Sequence, residues 1–163
     1  MRCSVPYRGK QQDSLPWPRF EENHHGNRRQ SSGLHGVETA ELAHVPGDRL
    51  AKSVVLEDDD GFMMAVLSST RHIRLGQLSR ELNRKLRLAT EDELPNFFTD
   101  CELGAIPPVG PAYGMKTVID DDLAKRPEVY FEAGDHEMLI RMSQEQFMSM
   151  MHSARHARFG YHS

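Results

Sequence analysis

Apolar positions along the chain repeat with two different periods, and the switches between them outline the secondary structure. Leu50-Ala51-Lys52-Ser53-Val54-Val55-Leu56 is an almost continuous, β-branched apolar run, so Arg49 to Leu56 is predicted as a buried strand. Glu57-Asp58-Asp59-Asp60-Gly61 follows as a turn, with Asp-Gly placed for a hairpin. Phe62 to Ser68 returns as the partner strand, its Met63-Met64-Ala65-Val66-Leu67 too continuous for a solvent-facing edge. Leu75, Leu78, Leu82 and Leu86 then recur at helical spacing, which predicts an amphipathic helix from Leu75 to Leu86. Arg80, Arg84 and Arg87 are expected along another face of it. Thr90 with Glu93 forms a capping-box pattern before a second short helix ending near Phe98.

The pattern changes again after a loop of Gly and Pro, Gly104-Ala105-Ile106-Pro107-Pro108-Val109-Gly110. Thr117 to Asp120 reads as a strand, and Asp121 to Lys125 as a turn or a single helical turn. Glu128 to Ala133 and Glu137 to Met142 bracket a Gly134-Asp135-His136 corner as two more strands. Ser143 with Gln146 opens the last helix, whose core face is Phe147, Met150 and Met151. Upstream, Val37 starts a short helix stopped by Pro46-Gly47. Residues 1–36, with three prolines and little periodic apolar content, read as an extended or irregular N-terminal segment. Residues 153–163, rich in His and Arg, read as a frayed tail. Strands and helices mix without regular βαβ alternation, so residues 37–152 are expected to form one α+β domain.

Composition narrows the classes. At 163 residues, 38% hydrophobic and 27% charged, the chain is long enough for a core that needs no staples. No apolar run approaches the ~20 residues of a membrane helix, and no secretory signal is apparent. Two cysteines, Cys3 and Cys101, outside any C-x-x-C pair argue against a disulfide framework or a cysteine zinc site, and point to a reducing cytoplasm. A net charge of −4 excludes a protein that coats duplex DNA but not RNA, because charge is segregated locally. Arg71, Arg74, Arg80, Arg84, Lys85 and Arg87 face a single acid, Glu81, within 17 residues; this is either a solvated helix face or a phosphate-contacting patch.

Candidate chemistry rests on three separated stretches. Lys52 places an ammonium in an apolar strand, where it is costly unless it snorkels from the strand end or faces an anionic or carbonyl partner. The Gly-Pro loop has a backbone largely fixed by residue type. His136 follows a strand-ending glycine, and either caps the corner or contacts a substrate. Together these suggest one binding site, of a hydrolytic kind. His152 and His156 are four apart, but no third ligand has metal-site spacing, so no metal and no cofactor are expected.

The order of L-A-K-S-V-V-L, the amphipathic helix, E-D-E-L, G-A-I-P-P-V-G, T-V-I-D-D-D-L and Y-F-E-A-G-D-H resembles the YbaK/prolyl-tRNA-synthetase-associated domain family over about residues 37–151. Members of that family are trans-acting editing domains that hydrolyse mischarged aminoacyl-tRNA. The resemblance implies a mixed, barrel-like sheet flanked by helices, with Lys52 as the catalytic residue. It implies that Gly104, Ala105, Ile106 and Pro107 shape the aminoacyl pocket, and that Gly134 and His136 form a Gly-x-His substrate element. The implied partners are the tRNA acceptor end, contacted by Arg80, Arg84 and Arg87, and an aminoacyl-tRNA synthetase. Upstream the chain departs from the family pattern: Tyr7, His24 or His25 and Ser31-Ser32 are poor substitutes for the usual N-terminal pocket wall. A non-catalytic module that keeps the fold to bind tRNA or a synthetase is the alternative reading.

Overall fold

The computed structural model describes residues 44–162 apart from 91, 95, 96, 100, 103 and 137. The N-terminal segment and the helix expected from Val37 to Ala43 lie outside the described residues. The expected hairpin is present: β1 (Ala51–Asp58) pairs antiparallel with β2 (Gly61–Ser68), from Ala51↔Ser68 to Asp58↔Gly61. Asp59 and Asp60 form its tip. The Asp58 carboxylate accepts the Asp60 N–H at 2.8 Å, and Gly61 takes φ 117°, a conformation side chains resist. The strand continues through Asp58, past the Glu57 where the pattern suggested a turn, because arginines neutralise the acids: Arg84 pairs with Asp58 and Asp60, and Arg87 with Glu57 and Glu93.

The sheet grows by pairings between distant segments. β5 (Lys116–Asp120) lies parallel to β2, β8 (Arg155–Ala157) parallel to β5, and β4 (Arg87–Leu88) antiparallel to β1, giving the order β4-β1-β2-β5-β8. β6 (Glu128–Glu132) and β7 (Leu139–Ser143) form a second hairpin, joined to the main sheet by a parallel bridge between Leu50 and Tyr130. β3 (His72–Ile73) pairs with β9 (Gly160–Tyr161). The fold is α+β with a mixed sheet, as expected.

Alternation along β1, β2 and β5 sends apolar side chains to both faces, so the sheet is buried between two cores. One core combines Ala51, Val55, Met64, Val66 and Ile119 with Ile106, Phe131, Phe147 and Met151. The other combines Leu56, Met63, Leu67 and Val118 with Leu78 and Leu82 of α1 (Leu75–Leu82) and with Phe159. Each such fully buried side chain contributes ~1.5–3 kcal/mol.

Several expected elements are corrected. Helix α1 stops at Leu82 because Asn83 adopts φ 53°, with its N–H on Arg80 O and the Arg84 N–H on Ser79 O. Leu86 still packs on the core from outside the helix, but Arg84 and Arg87 do not share a helical face with Arg80. At Thr90 the Glu93 carboxylate takes the Thr90 N–H at 2.7 Å, the reaching-back half of a capping box, and the Thr90 hydroxyl at 2.9 Å; the Phe98 N–H bonds Leu94 O at 3.1 Å, while residues 91, 95 and 96 of the expected short helix lie outside the described residues. Helix α2 (Asp121–Ala124) is the single turn expected, and α3 (Gln144–Met150) has the complete Ser143/Gln146 capping box.

The C-terminal residues are not frayed. β8 and β9 are built into the sheets, and Asp120 explains how. Its fully buried carboxylate accepts the N–H groups of Phe159 at 3.0 Å, Gly160 at 2.7 Å and Asp122 at 3.1 Å. His152 follows α3 and bonds Ser149 O, whereas His156 lies in β8, so the two share no helical face. Cys101 Sγ lies 3.8 Å from the Tyr113 hydroxyl, and Cys3 lies outside the described residues.

Candidate active site

The Gly-Pro loop runs from Gly104 to Val109 and is anchored at both ends. Glu102 donates its N–H to Gly134 O at 2.9 Å, tying the loop to the β6–β7 turn. Ser53 Oγ donates to Ile106 O at 2.8 Å, tying the loop to β1. Ala105, Ile106, Pro107 and Pro108 are buried. Gly104, at φ 85°, stays exposed and occupies a backbone region that favours glycine. The Ala105 N–H is already bonded to Glu102 O, whereas the N–H groups of Gly104 and Ile106 have no partner among the described residues. The loop therefore offers two backbone donors near each other.

His136 closes the other side of this loop. A Cβ placed on Gly104 would meet its Cε1 at 3.5 Å and its Nε2 at 3.9 Å. Its Nδ1 lies 3.2 Å from Oε1 of Glu132, the last residue of β6, which is only 7% exposed. The other ring nitrogen, Nε2, lies on the side of the ring that meets the loop. Gly134, at φ 106°, makes the tight corner that folds His136 back onto Glu132, and the Asp135 carboxylate completes the turn by accepting the Met138 N–H at 2.9 Å.

Lys52 approaches from a different direction. Ser53 points to the loop's core, so Lys52 leaves β1 on the opposite face, where its ammonium donates to Ser69 O at 3.2 Å. It is half-buried, and burial lowers its pKa below the ordinary lysine value by disfavouring the charged form. The Leu50↔Tyr130 bridge sets the register of β1 against β6. Two residues further along both strands, Lys52 and Glu132 leave on the same side of the sheet.

The structure thus gathers Gly104, Ile106, Gly134 and His136, and sends Lys52 to the other face of β1, where it bonds Ser69 O and not the loop. Sequence reasoning missed Ser53 and Glu132. Ser53 had a signal in its position next to Lys52, since alternation puts the two on opposite faces. Glu132 precedes His136 by four residues across a turn, a spacing with no motif of its own.

The three arginines expected to contact tRNA are dispersed. Arg80 is exposed on α1 and has no ion-pair partner among the described residues. Arg84 and Arg87 each pair with two carboxylates. The Asp58 carboxyl is held below its usual range mainly by the hydrogen bond from Arg84. Among the described residues no cluster of three metal-ligating side chains occurs, and no helix is long and apolar enough to cross a membrane.

A mixed sheet between two cores thus carries the Gly-Pro loop against an imidazole that a carboxylate orients. Residues 34–150 match the aminoacyl-tRNA editing domain, and the chain belongs to that family. Among curated proteins, none matches it. Its fold is similar to a crystal structure of a protein proposed as a trans-editing enzyme for prolyl tRNA synthetase (25% identity, TM-score 0.68, covering 77% of this chain and 79% of that one). It is also similar to a scaffold protein from computational epitope grafting (20% identity, TM-score 0.70, 80% and 83% covered). A third likeness is to a protein of Marinobacter aquaeolei VT8 proposed to act in signal transduction (23% identity, TM-score 0.64, 72% of this chain but 26% of that one).

Proposed function

We propose that the protein is a hydrolase that removes the amino acid from mischarged tRNA in trans. The observation that carries this reading is the loop held against the His136–Glu132 pair, with the N–H groups of Gly104 and Ile106 lacking a partner among the described residues. An aminoacyl ester is already activated, so placing it and stabilising the developing oxyanion supply most of the catalysis. Water adds to the ester carbonyl carbon, and the two loop N–H groups receive the resulting oxyanion. The bond to the ribose oxygen then breaks, and that oxygen takes a proton as the free amino acid leaves. Water attacks directly, assisted by the ribose 2′-hydroxyl, with no protein nucleophile in the scheme.

In this scheme the His136 imidazole contacts the substrate beside the loop, and Glu132 holds the ring in place for that task. Ala105 and Pro107 shape the aminoacyl pocket from the loop's buried side, and Gly134 sets the corner. Lys52 holds the terminal phosphate of the tRNA as a point charge, on the face it shares with Glu132. The partners are the tRNA acceptor end and, through it, an aminoacyl-tRNA synthetase; the protein acts in the cytoplasm.

Incubation with a panel of aminoacyl-tRNAs tests the proposal. At least one species should be hydrolysed well above its spontaneous rate, and Lys52→Ala should abolish that turnover in a folded protein. Spontaneous rates throughout the panel would refute the proposal, and full turnover by Lys52→Ala would remove Lys52 from the site.

A further inference from the structure

A cavity of about 320 Å³, which shares no lining residue with the Gly-Pro loop, is lined by Arg71, Arg74, Gln77, Arg158, Tyr161 and His162, together with Gly160. Its size lies at the lower end of ligand cavities, ~300–1,000 Å³. No carboxylate lines it, although the chain as a whole carries a net charge of −4. Three arginines and a histidine line it, and of these only Arg71 is paired with a carboxylate, Asp122, among the described residues.

The wall is built, not incidental. The β3–β9 pair sets His72 against Tyr161 and Ile73 against Gly160, and the Arg74 N–H bonds Phe159 O at 2.9 Å. The Arg74 guanidinium stacks over the Tyr161 ring, 5.0 Å from its centroid. Arg71 is fixed by Asp122 at 2.6 Å and by Gly160 O at 3.1 Å. Gln77 Nε2 donates to Arg158 O at 2.7 Å and holds the backbone of that segment. Arg74 and Arg158 have no carboxylate partner among the described residues, so their charges are available to a ligand. A planar fork that pairs two oxygens at once is suited to phosphate.

Position gives the phosphate a source. Ser69 O receives the Lys52 ammonium, and Arg71 of the cavity lining is two residues further on, a chain reach of at most ~7 Å. We infer that this cavity binds a backbone phosphate of the tRNA whose acceptor end occupies the site beside Lys52. The inference rests on the editing reading for the identity of the RNA. Arg71 and Arg74 were visible in the basic stretch of the sequence, but Arg158 and Tyr161 come from the segment expected to fray.

Binding of uncharged tRNA, measured by anisotropy across a salt series, tests the inference without requiring hydrolysis. Arg74→Ala/Arg158→Ala should weaken binding on the order of tenfold and lower the log–log salt slope by about 1 to 2. Arg158→Lys, which keeps the charge, should recover most of the affinity. A second arm uses inorganic pyrophosphate as competitor. Unchanged tRNA affinity and slope in the folded double variant would overturn the inference. So would pyrophosphate that binds the wild type through these arginines while tRNA binding ignores them, since the ligand would then be a free polyphosphate. A wild-type protein that binds tRNA through the cavity but deacylates no species supports the inference and retires the editing proposal. A working deacylase whose tRNA affinity and KM ignore both substitutions does the reverse.

Discussion

Replacing Asp120 by alanine should cost more stability than any other single change to the described polar groups. The carboxylate is fully buried and accepts three N–H groups, two of them from residues 39 and 40 positions away. Losing the helix cap on Asp122 costs ~1 kcal/mol. The Phe159 and Gly160 donors would each be left without a partner, at ~1–3 kcal/mol apiece. Gly160 is only half-buried, so water recovers part of its share, and the sum is about 3–5 kcal/mol. That is a large fraction of the ~5–15 kcal/mol that holds a domain together. Asp120→Asn keeps the shape and one acceptor oxygen, and should lose roughly a third to a half as much. Urea unfolding should show a lower midpoint with an unchanged slope for both variants. Hydrogen exchange should quicken at the Phe159 and Gly160 amides before the β1–β2 hairpin is affected. A loss below ~1 kcal/mol in the alanine variant would refute the claim that this carboxylate secures the C-terminal strands.

Other consequences are equally direct. Gly110→Ala would bring a Cβ within 2.1 Å of Thr117 Oγ1, so thermal unfolding should reveal a loss of ~1–3 kcal/mol. Because burial disfavours its charge, Lys52→Met should leave the melting temperature equal or higher while turnover vanishes; a clear drop in melting temperature would mean the lysine serves the fold. The carboxyls of Asp58, Glu93 and Glu128 sit below their ordinary values, first through hydrogen bonds from Arg84, Thr90 and Arg141 respectively. A depressed carboxyl stabilises the fold above its unfolded value of ~4 and loses that contribution as pH falls through the folded value. Melting temperature should accordingly decline below about pH 4. Arg84→Gln should remove the Asp58 share of that decline, seen by comparing the two pH profiles.

Local chemistry made some elements readable and hid others. The β1–β2 hairpin was evident because both strands are continuously apolar and an acidic turn separates them. Helix α3 was evident because its capping box involves residues three apart. The end of α1 was misplaced because Leu86 keeps the helical period while contacting the same core from an irregular segment. β8 and β9 escaped notice because their partners, β5 and β3, lie more than 35 residues away and each strand has at most three residues. At the site, the Gly-Pro loop and Gly134 were legible as backbone constraints, whereas the meeting of Gly104 with His136 depends on a tertiary contact. The orientation of Lys52 could have been read from Ser53 only after the loop was known to pack on the Ser53 side.

Because β8 lies along β5, the final dozen residues act as a seal. A polypeptide cut after residue 150, where the family match ends, would turn a protected inner strand into a bare border of amides and carbonyls rich in Val118 and Ile119. During synthesis that border stays open until Arg155 to Ala157 emerge. Tags, fusions or proteolytic nicks placed between residues 150 and 155 should therefore promote self-association, even with the Gly-Pro loop and the His136 corner intact.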